Sequence, residues 1–138
     1  MPTSAEPWQP LLDALAKLRA DWPASEWSWD PRFKCVTSSL PSSAASSVRP
    51  LLATLVPAEW TPASFGTAPD AVRALEARCG DLRPGQLLLT GDAVAGMVPF
   101  AMWWPWGDGS KFSVRLGIAN SDRQKDLFPL VRELFGIV

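Results

Sequence analysis

The segment 96–119, GMVPFAMWWPWGDGSKFSVRLGIA, constrains this chain more than any other. An apolar run broken by Pro99 and Pro105 and a second run of alternating polarity flank a Gly-Asp-Gly turn, so it reads as a β-hairpin. On the second run Phe112, Val114, Leu116 and Ile118 alternate with Lys111, Ser113, Arg115 and Gly117, the pattern of a strand with one core face. On the first, the even positions Val98, Phe100, Met102 and Trp104 form the larger apolar set. A three-residue loop, Gly107-Asp108-Gly109, opposes Trp104 to Phe112, Met102 to Val114, Phe100 to Leu116 and Val98 to Ile118. It also gives Gly109 the left-handed place at the end of such loops. A two-residue loop would turn the smaller set, Ala101 and Pro105, to the core. A slip of one residue sends an apolar row to the wrong face, so the three-residue loop is expected. Trp104 is then a core residue, Trp103 lies on the opposite face beside Ser113 and Arg115, and Trp106 stands at the hairpin mouth.

The rest of the chain supplies helices to cover such a sheet. Trp8, Leu11, Leu15 and Leu18 recur at helical spacing over residues 8–20, and Trp22-Pro23 ends the run. Residues 26–37 read as a hairpin or bulged strand, with Trp27 and Trp29 alternating around Ser28 and a turn at Asp30-Pro31. The Ser/Ala segment 38–47 reads as a loop or frayed helix start. A second helix is expected over Val48–Val56 with Pro50 in its first turn, followed by an irregular stretch anchored by Trp60 and Phe65. A third runs from the Thr67 cap to Gly80, with Val72, Leu75 and Cys79 inward. Residues 86–90 form a strand that Gly91-Asp92 turns into the central hairpin. The last helix carries Leu127, Leu130, Val131, Leu134 and Phe135, and Pro129 makes it kink or start near Asp126. The expected fold is a single α+β domain over residues 1–138. It is a two-layer sandwich of about four helices on an antiparallel sheet, made of a C-terminal three-strand meander and an N-terminal strand or hairpin.

Composition narrows the function classes. With 138 residues, 47% of them hydrophobic, the chain has the size of one domain with a real core. The net charge of −1 gives no electrostatic footprint for nucleic acid. No histidine is present, which removes the usual general base near neutral pH and the commonest metal ligand. The N-terminus lacks the charged and apolar regions of a signal peptide, and no apolar run reaches membrane-spanning length. The expectation is a cytoplasmic protein, and a bias toward Ala, Leu, Pro, Arg and Gly points to a GC-rich bacterial genome.

The chemical motifs are weak. Asp92 and Asp108 sit in Gly-Asp turns at opposite ends of the central strand, which is ordinary turn chemistry and matches no calcium loop. Cys35 has no histidine to activate it, and with Cys79 it reads as a buried free thiol. No nucleophile elbow and no phosphate-binding glycine loop occurs. Neither an enzyme, nor a cofactor, nor a metal site is expected.

What remains is aromatic surface. A tryptophan flanked by polar groups on an open sheet face is a typical interface anchor. The expectation is a non-enzymatic protein-binding module that occludes a partner protein, such as a cognate toxin or secreted effector, in the manner of an immunity protein or chaperone. Its contact residues would be Trp103, Trp106, Asp108, Ser113 and Arg115, the tryptophans giving buried area and Arg115 a bidentate contact. The other reading is a small-ligand domain in which Trp27, Trp29, Trp103 and Trp106 form a stacking wall.

Overall fold

Alternating strands with apolar side chains on both faces cannot stay open to water, and here they assemble into one six-stranded antiparallel sheet. The computed structural model describes residues 9–23, 26–31, 35–61, 64, 85–94, 97–119 and 127–137. Its elements in chain order are α1 (Gln9–Asp21), β1 (Ser28–Asp30), β2 (Cys35–Pro41), a 3₁₀ turn (Ser42–Ala44), α2 (Ala45–Leu55), β3 (Ala58–Trp60), β4 (Leu87–Thr90), β5 (Val98–Pro105), β6 (Lys111–Ala119) and α3 (Leu127–Leu134). The strand order is β1-β2-β6-β5-β4-β3. The chain is α+β with an antiparallel sheet, and the N-terminal hairpin β1-β2 is as expected. The described residues form three α-helices where about four were expected, and the C-terminal meander differs in that β3 adds a further strand beyond β4. The expected helix at 67–80, with Cys79, lies outside the described residues, as does Phe65.

One face of the sheet, here the inner face, carries the main core. Leu11, Leu12, Leu15 and Leu18 line one side of α1, and Val48, Leu52 and Leu55 one side of α2. Both sets join Val36, Leu40, Phe112, Val114, Leu116, Ala101 and Trp103 in a single buried cluster. Val131 and Phe135 bring in the C-terminal end, whereas Leu130 of the expected stripe is exposed. Arg19 fastens that end further: its guanidinium donates to the Leu134 carbonyl at 2.9 Å, one of the last carbonyls of α3, which lack partners within the helix.

Four segments depart from expectation. The run 38–41 is strand rather than loop, because Leu40 is core and the buried Ser38 hydroxyl accepts the Trp22 indole N–H at 3.1 Å. A small polar residue is thus satisfied inside the sheet. Upstream Ala and Ser residues extend α2 back to Ala45, so Pro50 sits inside the helix with its side chain exposed. Gly91-Asp92 is not a two-residue turn. Pairing continues through Gly91, whose N–H donates to Pro99, and an isolated bridge joins Val94 to Met97. Residues 58–60 pair with β4 as a short edge strand instead of remaining irregular.

The central register also differs. The loop has four residues, 107–110, closed by the Trp106 N–H donating to Lys111 O at 2.9 Å, with Gly109 at φ +74°. Trp103 therefore pairs with Val114, Trp104 with Ser113, Met102 with Arg115, Ala101 with Leu116 and Phe100 with Gly117. The expected matching of large to large is replaced by large to small on both faces. On the inner face Ala101 meets Leu116; on the outer face Phe100 meets Gly117, whose added Cβ would fall 2.8 Å from the Phe100 ring and 2.9 Å from Cys35 Cβ. Cross-strand volumes are thereby equalised, and the larger apolar set of β5 is free to face outward, away from α1, α2 and α3. It forms a second buried cluster there: Cys35, Leu88, Val98, Phe100, Met102 and Ala119, with Trp60 and Trp104 packed against it. Cys35 is fully buried in this cluster.

Candidate functional site: the hairpin end of the outer sheet face

Residues 104, 113, 115 and 39 share the outer face through the pairings of β2, β6 and β5. At the hairpin end this face changes from the buried apolar cluster to a half-exposed strip of polar and aromatic groups. The change follows from the sequence of β6, whose outer residues run from Ala119 and Gly117 to Arg115, Ser113 and Lys111.

Trp106, the only large aromatic exposed among the described residues, stands at 42% exposure beyond the end of β5. Its indole N–H donates to the Ser113 hydroxyl at 2.9 Å, and that hydroxyl lies 3.2 Å from the hydroxyl of Ser39. Lys111 places its ammonium 5.2 Å from the Trp106 ring centroid, within cation–π range. The ring is thus held from two sides while remaining open to solvent. Beside it the Arg115 guanidinium lies 4.3 Å from the Trp104 ring centroid, and its Nε donates to Asp30 Oδ2 at 3.2 Å. Both members of that ion pair are mostly buried.

Of the five residues expected to form a contact surface, the structure brings together Trp106, Ser113 and Arg115. Arg115 is engaged by Asp30 and Trp104 rather than presented as an open fork. Trp103 is not on this face. It is 7% exposed on the inner face, stacked on Phe112 with centroids 4.3 Å apart and planes 18° from parallel, and Arg49 covers it at 5.1 Å. The one-residue difference in register exchanges Trp103 and Trp104 between faces, so Trp104, Ser39, Lys111 and Asp30 are the residues sequence reasoning missed. The available signal was the loop: with Ser110 counted in it, the same alternation assigns the faces correctly.

Asp108 works within the loop. Its Oδ1 accepts the Ser110 N–H at 2.9 Å and the Ser110 hydroxyl at 2.7 Å, and the Ser42 hydroxyl donates to the Gly109 carbonyl from the start of the 3₁₀ turn. The Ser110 amide, then its hydroxyl, hold the Asp108 carboxyl below its ordinary value of 3.8. A depressed carboxyl pKa stabilises the folded state above the unfolded value and loses that stabilisation as pH falls through the folded value. The loop is accordingly expected to loosen only in acid. A carboxyl-detected NMR titration should place the Asp108 midpoint below 3.8, and a midpoint at or above it would contradict the hydrogen bonding described.

The four rings of the stacking-wall reading do not gather. Trp27 and Trp29 pack against the inner core with Trp103, while Trp106 faces outward. Trp27 contacts Trp22 at 4.9 Å and Phe135 edge-on at 4.6 Å, and Arg132 lies 5.5 Å from the Trp29 ring. Among the described residues no three His, Cys, Asp or Glu side chains come together as a metal site would require, and no helix is long and apolar enough to cross a membrane. Comparison of the chain with protein-family models, with curated proteins and with solved structures returned no match.

Proposed function

We propose that this chain is a non-enzymatic protein-binding module of the bacterial cytoplasm, an immunity-type inhibitor that covers a partner protein with the hairpin end of its outer sheet face. In this reading the helices form one layer and the sheet the other, leaving the hairpin end as the contact. The observation that carries it is Trp106: a large aromatic ring, exposed, yet fixed by Ser113 and Lys111 before any partner arrives. A ring already held in one orientation loses little conformational entropy on binding, and tryptophan is among the residues that dominate interface energetics. The surrounding hydroxyls of Ser39 and Ser113 supply the polar rim, and the Trp104–Arg115–Asp30 stack gives a stiff floor. Asp108 serves by shaping the loop that carries Trp106, and Trp103 by packing beneath the sheet.

The test is affinity purification from the native host with the parent chain and with Trp106→Ala. A single protein should co-purify in one-to-one ratio with the parent. Truncation should weaken that complex by about 30-fold, the effect of losing roughly 2 kcal/mol at an interface hot spot. The variant itself should unfold within about 1 kcal/mol of the parent, since only surface contacts are lost. A complex of unchanged affinity would remove this face from the interface.

A further inference from the structure

We infer that the outer edge of β2 is a strand-acceptor groove that takes a short extended peptide of alternating apolar and acidic residues from a partner protein. The phase of the ladder determines which backbone groups point there. The Ser42 N–H donates to Ser110 O at 3.0 Å, continuing the β2–β6 pairing one residue beyond Pro41 and Lys111. In an antiparallel ladder successive residues address opposite neighbours, so Val36, Ser38 and Leu40 bond to β6 while Thr37, Ser39 and Pro41 turn to the other side. There β1 pairs with β2 only as far as Ser28 opposite Thr37. Among the described residues no strand continues past it, and the amide and carbonyl of Ser39 and the carbonyl of Pro41 face outward.

They face a groove of about 540 Å³ that wraps the sheet edge from one face to the other. On its inner side stand the rings of Trp27 and Phe135 with Arg19; on its outer side lies Lys111. The Trp27 indole nitrogen is buried and has no acceptor among the described residues. An added strand places successive side chains on opposite faces. One residue would therefore meet the Trp27–Phe135 rings and the next would reach Lys111. Two cations, Arg19 and Lys111, against one carboxylate, Glu26, bias the groove toward an acidic guest. Pro41 has no N–H to offer, so the acceptor site is short and does not propagate into open-ended sheet growth. The guest is a few residues long and is held by main-chain bonds, with the alternating pockets giving selectivity.

The probe is the capped peptide acetyl-Val-Glu-Val-Glu-Val-amide, titrated into the full chain and followed by amide NMR. Saturable shifts are expected at Ser28, Ser39 and the Trp27 indole. The corresponding valine–lysine peptide, and the valine–glutamate peptide methylated on alternate backbone amides, should each bind about tenfold more weakly or worse. Because Lys111 is exposed, Lys111→Glu should fold normally and reverse the preference between the glutamate and lysine peptides. Equal binding of all three peptides, shifts centred on Trp106 instead of Ser39, or no saturable binding would each overturn the proposal. None of these results depends on the partner captured through Trp106, so this groove and that face can fail separately.

Discussion

Trp103→Ala is expected to destabilise the fold by about 3–5 kcal/mol, the usual cost of truncating a large aromatic in a core. The ring fills the space between Phe112 and Arg49 on the inner face, and neither neighbour can close the gap alone. Phe112 is held in β6 opposite Pro105, and Arg49 is tied to Glu59 by an ion pair. The cavity would remain largely open. Urea unfolding of the parent and variant should give a midpoint far below the parent's with an unchanged slope. Trp106, two strand positions from Trp104 and equally aromatic, should cost little by the same measurement. Equal losses for Trp103→Ala and Trp106→Ala would mean that the division of the tryptophans between core and surface is wrong.

Gly91→Ala should be nearly as damaging, by about 3 kcal/mol, through the opposite mechanism of overpacking. A Cβ at this position would overlap the Leu55 carbonyl oxygen at the C-terminus of α2 and come within 3.0 Å of Pro99 Cγ. The first obstacle is main chain and the second a buried proline ring near the start of β5, so no side-chain rotation relieves the clash. Relief requires α2 to lift from the sheet, which would pull Leu52, Leu55 and Val56 from the main core. Gly107 provides the control, because a Cβ there meets nothing within 4 Å. Thermal melting should show Gly91→Ala well below the parent and Gly107→Ala close to it. A Gly91→Ala protein melting with the parent would show that α2 does not rest on this glycine.

The elements that sequence reasoning places correctly are those whose pattern has one interpretation. The Leu11, Leu15, Leu18 stripe has only a helical reading, and the alternation Phe112 to Ile118 has only a strand reading. Register was harder because β5 is apolar on both sides: Ala101 and Trp103 are as buried as Phe100 and Met102. The periodicity that normally marks a core face is absent there. What decides the pairing is complementary volume, Phe100 over Gly117 and Ala101 against Leu116, together with a Ser110 that belongs to the loop. Strand β2 was hidden by its serines, which enter the sheet because Trp22 and Ser113 supply hydrogen-bond partners from distant parts of the chain. For the candidate site, Trp106, Ser113 and Arg115 were legible as a group. The engagement of Arg115 by Asp30 was not, since 85 residues separate them and only the β1-β2-β6 order brings them together.

The division of the tryptophans rests on the β5–β6 register, which backbone nuclear Overhauser effects read directly. In an antiparallel ladder the pairs without direct hydrogen bonds bring their Cα atoms to about 4.5 Å, close enough for strong Hα–Hα contacts. Such contacts are expected between Trp103 and Val114, Ala101 and Leu116, and Pro105 and Phe112. Contacts at Trp104 and Phe112 or at Met102 and Val114 would instead return Trp104 to the inner core and Trp103 to the surface, and would contradict the placement on which the proposed interface depends.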